Sequence, residues 1–192
     1  MMSTAEIFKI AVIAGTAREQ RRSIAAARFV ADIGRQLDGV SILAVDPQDF
    51  VLSGDGNAPE HKDPRYTQIT HEADAFFIVT PEYNRSFPGS LKRLLDSELE
   101  GYSHKPVALA GVSDGPWGGV RAVEALLGTV RHLGLITTSY DVYFPEIQKI
   151  FDTDCTIKPE YATTYQRQVT KAYRQLIGLA RVLRDARDKG LI

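Results

Sequence analysis

Short apolar runs separated by stretches of helical spacing dominate this chain, and no other feature limits its fold as much. The runs IFKIAVIA (7–14), VSILAV (40–45), AFFIVT (75–80), VALAGV (107–112) and LITTSYDVYF (135–144) have the length and continuity of strands covered on both faces. Between them, Ala26, Phe29, Val30, Ile33 and Leu37 recur at spacings of three and four, as do Val123, Leu126, Leu127, Val130 and Leu133. Each set lines one face of a helix. Leu91, Leu94 and Leu95 mark a third helix, and Tyr165, Val169, Tyr173, Leu176, Ile177, Ala180 and Leu183 a long final one expected from Lys158 onward. Residues 46–65, with three prolines and two glycines, predict a long loop, with a helix beginning near Pro64.

Strands alternating with helices imply right-handed crossovers and a mostly parallel, doubly wound sheet. Five strands favour the flavodoxin-like order 2-1-3-4-5, with helices on both faces. The length of 192 residues fits one domain spanning 1–192. In this order the loops leaving strands 1, 3 and 4 emerge at one carboxyl edge, beside the point where the winding reverses. A ligand is expected there. Those three exits are GTAREQRRS (15–23), TPEYNRSFPGS (80–90) and SDGPWGG (113–119), the most unusual loops in the chain.

Composition narrows the partners. A net charge of −1 gives no general field for nucleic acid or an anionic membrane, so neither is expected as a partner. The single cysteine, Cys155, cannot form an internal disulfide and suits a reducing cytoplasm. The start of the chain shows no basic leader, and its apolar run is too short to span a bilayer. The histidines His61, His71, His104 and His132 lack metal-ligand spacing, so no metal site is assigned.

The first loop joins a strand to a helix start, where unpaired N–H groups and the positive end of the dipole favour an anion. Thr16 and Ser23 can donate hydroxyls, and Arg18, with Arg21 or Arg22, can pair a phosphate bidentately. The loop matches neither a Walker A motif nor G-x-G-x-x-G, so a terminal monophosphate suits it better than a triphosphate or pyrophosphate. The second loop carries more chemistry than a turn requires. Pro81 fixes the chain direction, backbone amides and Asn84 can bond a heteroaromatic edge, and Tyr83 or Phe87 can cover a face. Pro88 stands where a helix can start without wasting a donor. The third loop has glycines that let backbone approach a flat ligand, though such turns also occur for backbone reasons alone.

With these residues in place, the sequence resembles the NADPH-dependent FMN reductase family of flavodoxin-like proteins. The family's loop P-E-Y-N-x-S-Y/F-P-G-x-L-K is matched by PEYNRSFPGSLK (81–92), its G-S/T-x-R phosphate motif by Gly15, Thr16 and Arg18, and its glycine-rich third loop by GVSDGPWGGVRAVEAL. The resemblance covers the first strand to about the fourth helix and is weak beyond. It implies that FMN is the cofactor, with NADPH or NADH as co-substrate and a quinone, azo compound, free flavin or other small molecule as electron acceptor. It further implies that Thr16, Arg18, Arg21 and Ser23 hold the phosphate. Pro81, Glu82, Tyr83 and Asn84 would then hold the ribityl chain and ring, and Ser113, Asp114, Gly115, Trp117 and Gly118 the ring's other edge. Arg85 departs from the small or neutral residue common after the asparagine.

The resemblance implies a ping-pong reaction in which the flavin carries the chemistry and no catalytic side chain is obligatory, and an assembly that is a homodimer or homotetramer. Leu91, Leu94 and Leu95 could then belong to an interface or to the core. Two other functions use the same scaffold, an electron-carrying flavodoxin and a flavin-binding sensor. Carriers have a Ser/Thr/Gly-rich phosphate loop and strong acidity, unlike this near-neutral chain; a sensor would show no turnover.

Overall fold

The computed structural model describes residues 7–192. Residues 1–6, part of the start read above as lacking a basic leader, lie outside the described residues. The strands are β1 (Phe8–Ala14), β2 (Val40–Val45), β3 (Ala75–Pro81), β4 (Pro106–Val112), β5 (Ile136–Thr137) and β6 (Val142–Phe144). The helices are α1 (Ser23–Arg35), α2 (Pro64–Glu72), α3 (Gly89–Asp96), α4 (Val120–His132), α5 (Ile147–Ile150) and α6 (Pro159–Asp188).

All pairings are parallel and the order is β2-β1-β3-β4-β5, with β6 also on β4. The doubly wound order expected from the sequence is therefore present, with one correction. The run 135–144 forms two short strands instead of one. Val107 pairs with Thr137 and Ala110 with Val142, so this edge takes two residues more than β4 between those points. The extra length falls at Thr138, Ser139, Tyr140 and Asp141, where Thr138 Oγ1 donates to the Tyr140 carbonyl at 3.5 Å. Side chains of this kind compete with ladder hydrogen bonds and favour local turns.

Alternation along the strands sorts the core into two layers. Ile10, Val12, Phe77, Val79, Ala108 and Ala110 pack against α1 and α6. Ala11, Ile13, Phe76, Ile78, Val107 and Leu109 face the buried residues of α3 and α4. The final helix covers the sheet as its apolar spacing predicts. Leu91, Leu94 and Leu95 are each 0% exposed, so they serve the core of this chain. The edge strands are the exceptions to double coverage: in β2 only Val45 is fully buried, and both residues of β5 are exposed.

In the 46–65 loop, two short 3-10 turns precede α2, and Asp63 caps that helix by accepting from Arg65 N at 2.9 Å, with Pro64 at the first helical position. No helix among the described residues is long and apolar enough to cross a membrane.

Candidate active site

Topology brings the three unusual loops together, and named contacts join them. Gly15 N donates to the Val79 carbonyl at 2.8 Å, and a Cβ on Gly15 would lie 2.6 Å from Thr80 Cα. Only glycine lets the first loop cross so close to the end of β3. The buried Thr16 Oγ1 receives Arg18 N at 3.2 Å and shares a hydrogen bond with the Tyr83 hydroxyl at 3.3 Å. Ala17 N donates to Ser90 Oγ at 3.1 Å, and the Arg18 guanidinium lies 5.7 Å from the centroid of the Tyr83 ring. The second loop joins the third strand exit through Glu82 N, which donates to the Val112 carbonyl at 3.0 Å. Arg121 of α4 reaches Glu82 Oε1 at 3.2 Å.

A cleft of roughly 310 Å³ opens where these loops meet. Its cationic end is Arg18, Arg22 and Ser23; its walls are Pro81, Glu82, Tyr83 and Asn84 on one side and Val112, Ser113 and Asp114 on the other, closed by Ile147. Arg18 and Arg22 are exposed, and neither has an ion-pair partner among the described residues. Helix α1 starts without a side-chain cap and without an acid in its first turn; Ala25 N turns back to the Arg22 carbonyl at 3.0 Å, and the N–H groups of Ser23 and Ile24 before it keep their capacity for an anion. Glu82 Oε2, on a side chain 13% exposed, is a buried acceptor with no donor among the described residues. Thus one end offers positive charge and free N–H groups, and the middle offers an unsatisfied acceptor between loop walls. These features suit a phosphate-tailed group with polar N–H or O–H functions.

Several expected site residues stand elsewhere. Arg21 does not face this cleft: its guanidinium pairs with Asp46, just past β2, and donates to the Arg18 carbonyl at 3.1 Å. Because β2 lies beside β1, its exit supplies a carboxylate that sequence spacing does not reveal. Trp117 is 63% exposed and lies under the Arg121 guanidinium, 5.3 Å from its ring centroid. Gly115 turns its carbonyl to Ser113 Oγ at 2.7 Å and to Glu146 N at 3.0 Å. Gly118 abuts Tyr143 and Pro145. These three are not among the residues that line the cleft. Tyr143 has its phenol pushed up to about 12, first by burial and then by the Asp141 carboxylate, which accepts its hydroxyl's hydrogen bond at 3.2 Å; it stays protonated across the neutral range. Arg22, Val112 and Ile147 line the cleft, with Ile147 coming from the exit of β6. The signal for Ile147 was available: parallel β6 beside β4 must also open at this edge.

Residues 8–149 match the family model for NADPH-dependent FMN reductases. The chain belongs to this family. A 2-hydroxy-1,4-benzoquinone reductase from a Burkholderia species is 30% identical over 176 residues, which cover 86% of this chain and 93% of that one. A quinone reductase from Pseudomonas putida is 30% identical over 129 residues, 63% of this chain and 68% of the relative. An NADPH azoreductase from a Bacillus species is 31% identical over 121 residues, 62% and 66% of the two chains. Among solved structures, the flavoenzyme NAD(P)H:(acceptor) oxidoreductase FerB from Paracoccus denitrificans superposes with a TM-score of 0.71 at 22% identity, covering 90% of this chain and 98% of that one. As a member of the FMN reductase family the protein is an oxidoreductase, with FMN as cofactor and a reduced nicotinamide dinucleotide as donor.

Within this FMN reductase, Tyr83 and Ser86 exchange backbone hydrogen bonds of 2.8 and 2.9 Å around Asn84 and Arg85, whose φ values are +49° and +65°. That is a type I′ hairpin turn, which favours Asn first and Gly second. Arg85 occupies the glycine position at a cost of roughly 1–2 kcal/mol. Replacing Arg85 by glycine relieves that strain, partly offset by about 0.5–1 kcal/mol of lost backbone freedom. The expected outcome is a melting temperature raised by roughly 2 °C, read by thermal unfolding of the apoprotein. A fall instead would mean that the guanidinium makes a stabilising contact larger than the strain.

Proposed function

We propose that this enzyme passes reducing equivalents from NADPH or NADH, through FMN held in the 310 Å³ cleft, to a quinone, azo compound or comparably small acceptor by a ping-pong scheme. The observation that carries the reading is the pair of guanidiniums, Arg18 and Arg22, with no ion-pair partner among the described residues, at an uncapped helix start, on one end of a cleft whose other walls are the Pro81–Asn84 corner and Ser113–Asp114. When bound, FMN supplies the hydride chemistry. The chain supplies position and charge. Arg18, Arg22, Ser23 and the first N–H groups of α1 hold the phosphate. Thr16 acts one step back, fixing the Arg18 backbone and the Tyr83 hydroxyl. Glu82 Oε2 accepts an N–H or O–H of the bound group, and Arg121 keeps its carboxylate aimed. The wall residues exclude water from one side.

Tyr83, Asn84 and Asp114, at the mouth, admit first the reduced nicotinamide and, after its departure, the acceptor. Donor and acceptor thus use one cleft in turn, in a cytoplasmic protein that works as a homodimer or homotetramer. Two measurements test this. Purified protein titrated with FMN should quench flavin fluorescence at a stoichiometry of about one per chain. With a quinone acceptor, initial rates at several NADPH concentrations should give parallel double-reciprocal lines. Intersecting lines would mean that both substrates are held together and would end the ping-pong scheme.

A further inference from the structure

The three loops carry four arginines: Arg18, Arg21, Arg22 and Arg85. Arg18 and Arg22 stand at the phosphate end of the cleft, and Arg21 is paired with Asp46. Arg85 has neither role. It is exposed, and its side chain makes no ion pair or hydrogen bond among the described residues. Yet it sits at φ +65°, in the turn closed on both sides by the Tyr83–Ser86 hydrogen bonds, where glycine would fit without strain. Nothing in the protein offsets that strain. Backbone strain held without a structural return is characteristic of ligand clamps.

The turn also places this charge. Tyr83 and Asn84 line the cleft and Arg85 follows them directly, so its long side chain starts at the mouth. The carboxylate nearest along the same loop, Glu82, is engaged by Arg121 at 3.2 Å. Asp114 belongs to the opposite wall. The mouth therefore has a free cation on one wall and a carboxylate on the other. A planar anion entering between them is drawn by its charged edge toward Arg85 and turned away from Asp114. The guanidinium can hold such an edge with two parallel N–H donors, which a single ammonium cannot do.

Quinones divide on this point. A hydroxyl on a quinone ring is a vinylogous carboxylic acid and is ionised at neutral pH, whereas an alkoxy or unsubstituted quinone is neutral. We propose that Arg85 is a specificity-determining residue that pairs the oxyanion of an ionised hydroxyquinone, so that anionic quinones are the preferred acceptors. This rests on the reading that the acceptor enters at the mouth formed by Tyr83, Asn84 and Asp114, and it adds which quinones enter best. The contact is one of binding and orientation; Arg85 transfers no atom.

The test uses FMN-loaded protein with its flavin oxidised, so that a quinone binds without reacting. Calorimetry at neutral pH compares 2-hydroxy-1,4-naphthoquinone with its methyl ether, 2-methoxy-1,4-naphthoquinone, which cannot ionise. The parent protein should bind the hydroxyquinone at least about fivefold tighter, the scale of a partly exposed charged pair. Arg85→Gly, which suits the turn, should bring the two affinities together. Arg85→Lys, which keeps the charge, should restore most of the preference. A parent without the preference, or a preference that survives Arg85→Gly, overturns the proposal. So does an equal loss of both quinones, which would make Arg85 a part of the turn alone. A variant that loses NADP+ more than NAD+, with the quinone ratio unmoved, would give the charge to the donor and also overturns it. FMN retained with neither quinone bound removes this inference and leaves the cofactor site standing; protein that retains no FMN removes the cofactor reading and this inference with it.

Discussion

Replacing Gly119 by alanine is expected to lower the free energy of unfolding by about 3–4 kcal/mol and to weaken FMN binding with it. Gly119 precedes α4 with φ at +80°, and a Cβ there would lie 2.4 Å from Val112 N and 2.8 Å from the Val112 carbonyl oxygen. The backbone strain alone costs about 1–2 kcal/mol. The contact is with main chain of a central strand, which cannot swing away, so overpacking adds about 1–3 kcal/mol. Against a total stability of about 5–15 kcal/mol this is a large fraction, and the melting temperature should fall by roughly 10 °C. Cofactor affinity suffers because the displaced segment carries Ser113 and Asp114 of the cleft wall and Arg121, which holds Glu82 at 3.2 Å. Gly128 is the control. It lies within α4 and a Cβ there would meet nothing within 4 Å, so Gly128→Ala should stabilise by about 0.5–1 kcal/mol through lost freedom of the unfolded chain. Thermal melts of the two variants check both signs; a Gly119→Ala variant as stable as the parent would show that the third loop is free to move.

That contrast bears on what was legible in the sequence. Glycines in 113–119 could serve a flat ligand or the backbone, and spacing could not choose. The backbone reading holds for Gly118 and Gly119, each pressed against protein, and Trp117 stands in solvent. What the sequence carried well was everything that depends on strand order. Apolar runs fixed which exits face the same edge, and Thr16, Arg18, Ser23 and the Pro81–Asn84 corner do meet there. What it carried poorly depends on pairs distant along the chain. Arg21 and Arg22 are indistinguishable as neighbours on a helix start; only the position of Asp46 at the end of β2 decides which charge is already spent. Likewise, the divided last strand follows from how many residues Thr138 to Asp141 need to turn against β4, a count set by the partner strand.

The choice between the two arginines supplies the second large effect. Arg18→Ala combined with Arg22→Ala is expected to weaken FMN binding by about 100- to 1,000-fold, because each charged hydrogen-bond donor to a phosphate is worth about 1.5–3 kcal/mol and the two are not fully additive. Riboflavin has no phosphate, so its affinity should change less than threefold, and the gap between FMN and riboflavin should close as salt is raised around the parent protein. Arg21→Met should behave differently. It strands Asp46, whose only ion-pair partner among the described residues is Arg21, so it should lower stability by about 1–3 kcal/mol while leaving the FMN-to-riboflavin ratio within threefold. Fluorescence titrations of both flavins, with urea unfolding of each variant, separate these outcomes. A riboflavin loss as large as the FMN loss in the double variant would mean that Arg18 and Arg22 act by shaping the loop. A selective FMN loss in Arg21→Met would return the phosphate to Arg21 and require its pair with Asp46 to open on binding. Under the proposed function, the ion pair at the exit of β2 leaves Arg18 and Arg22 as the arginines open to the phosphate, and that consequence can be tested without measuring turnover at all.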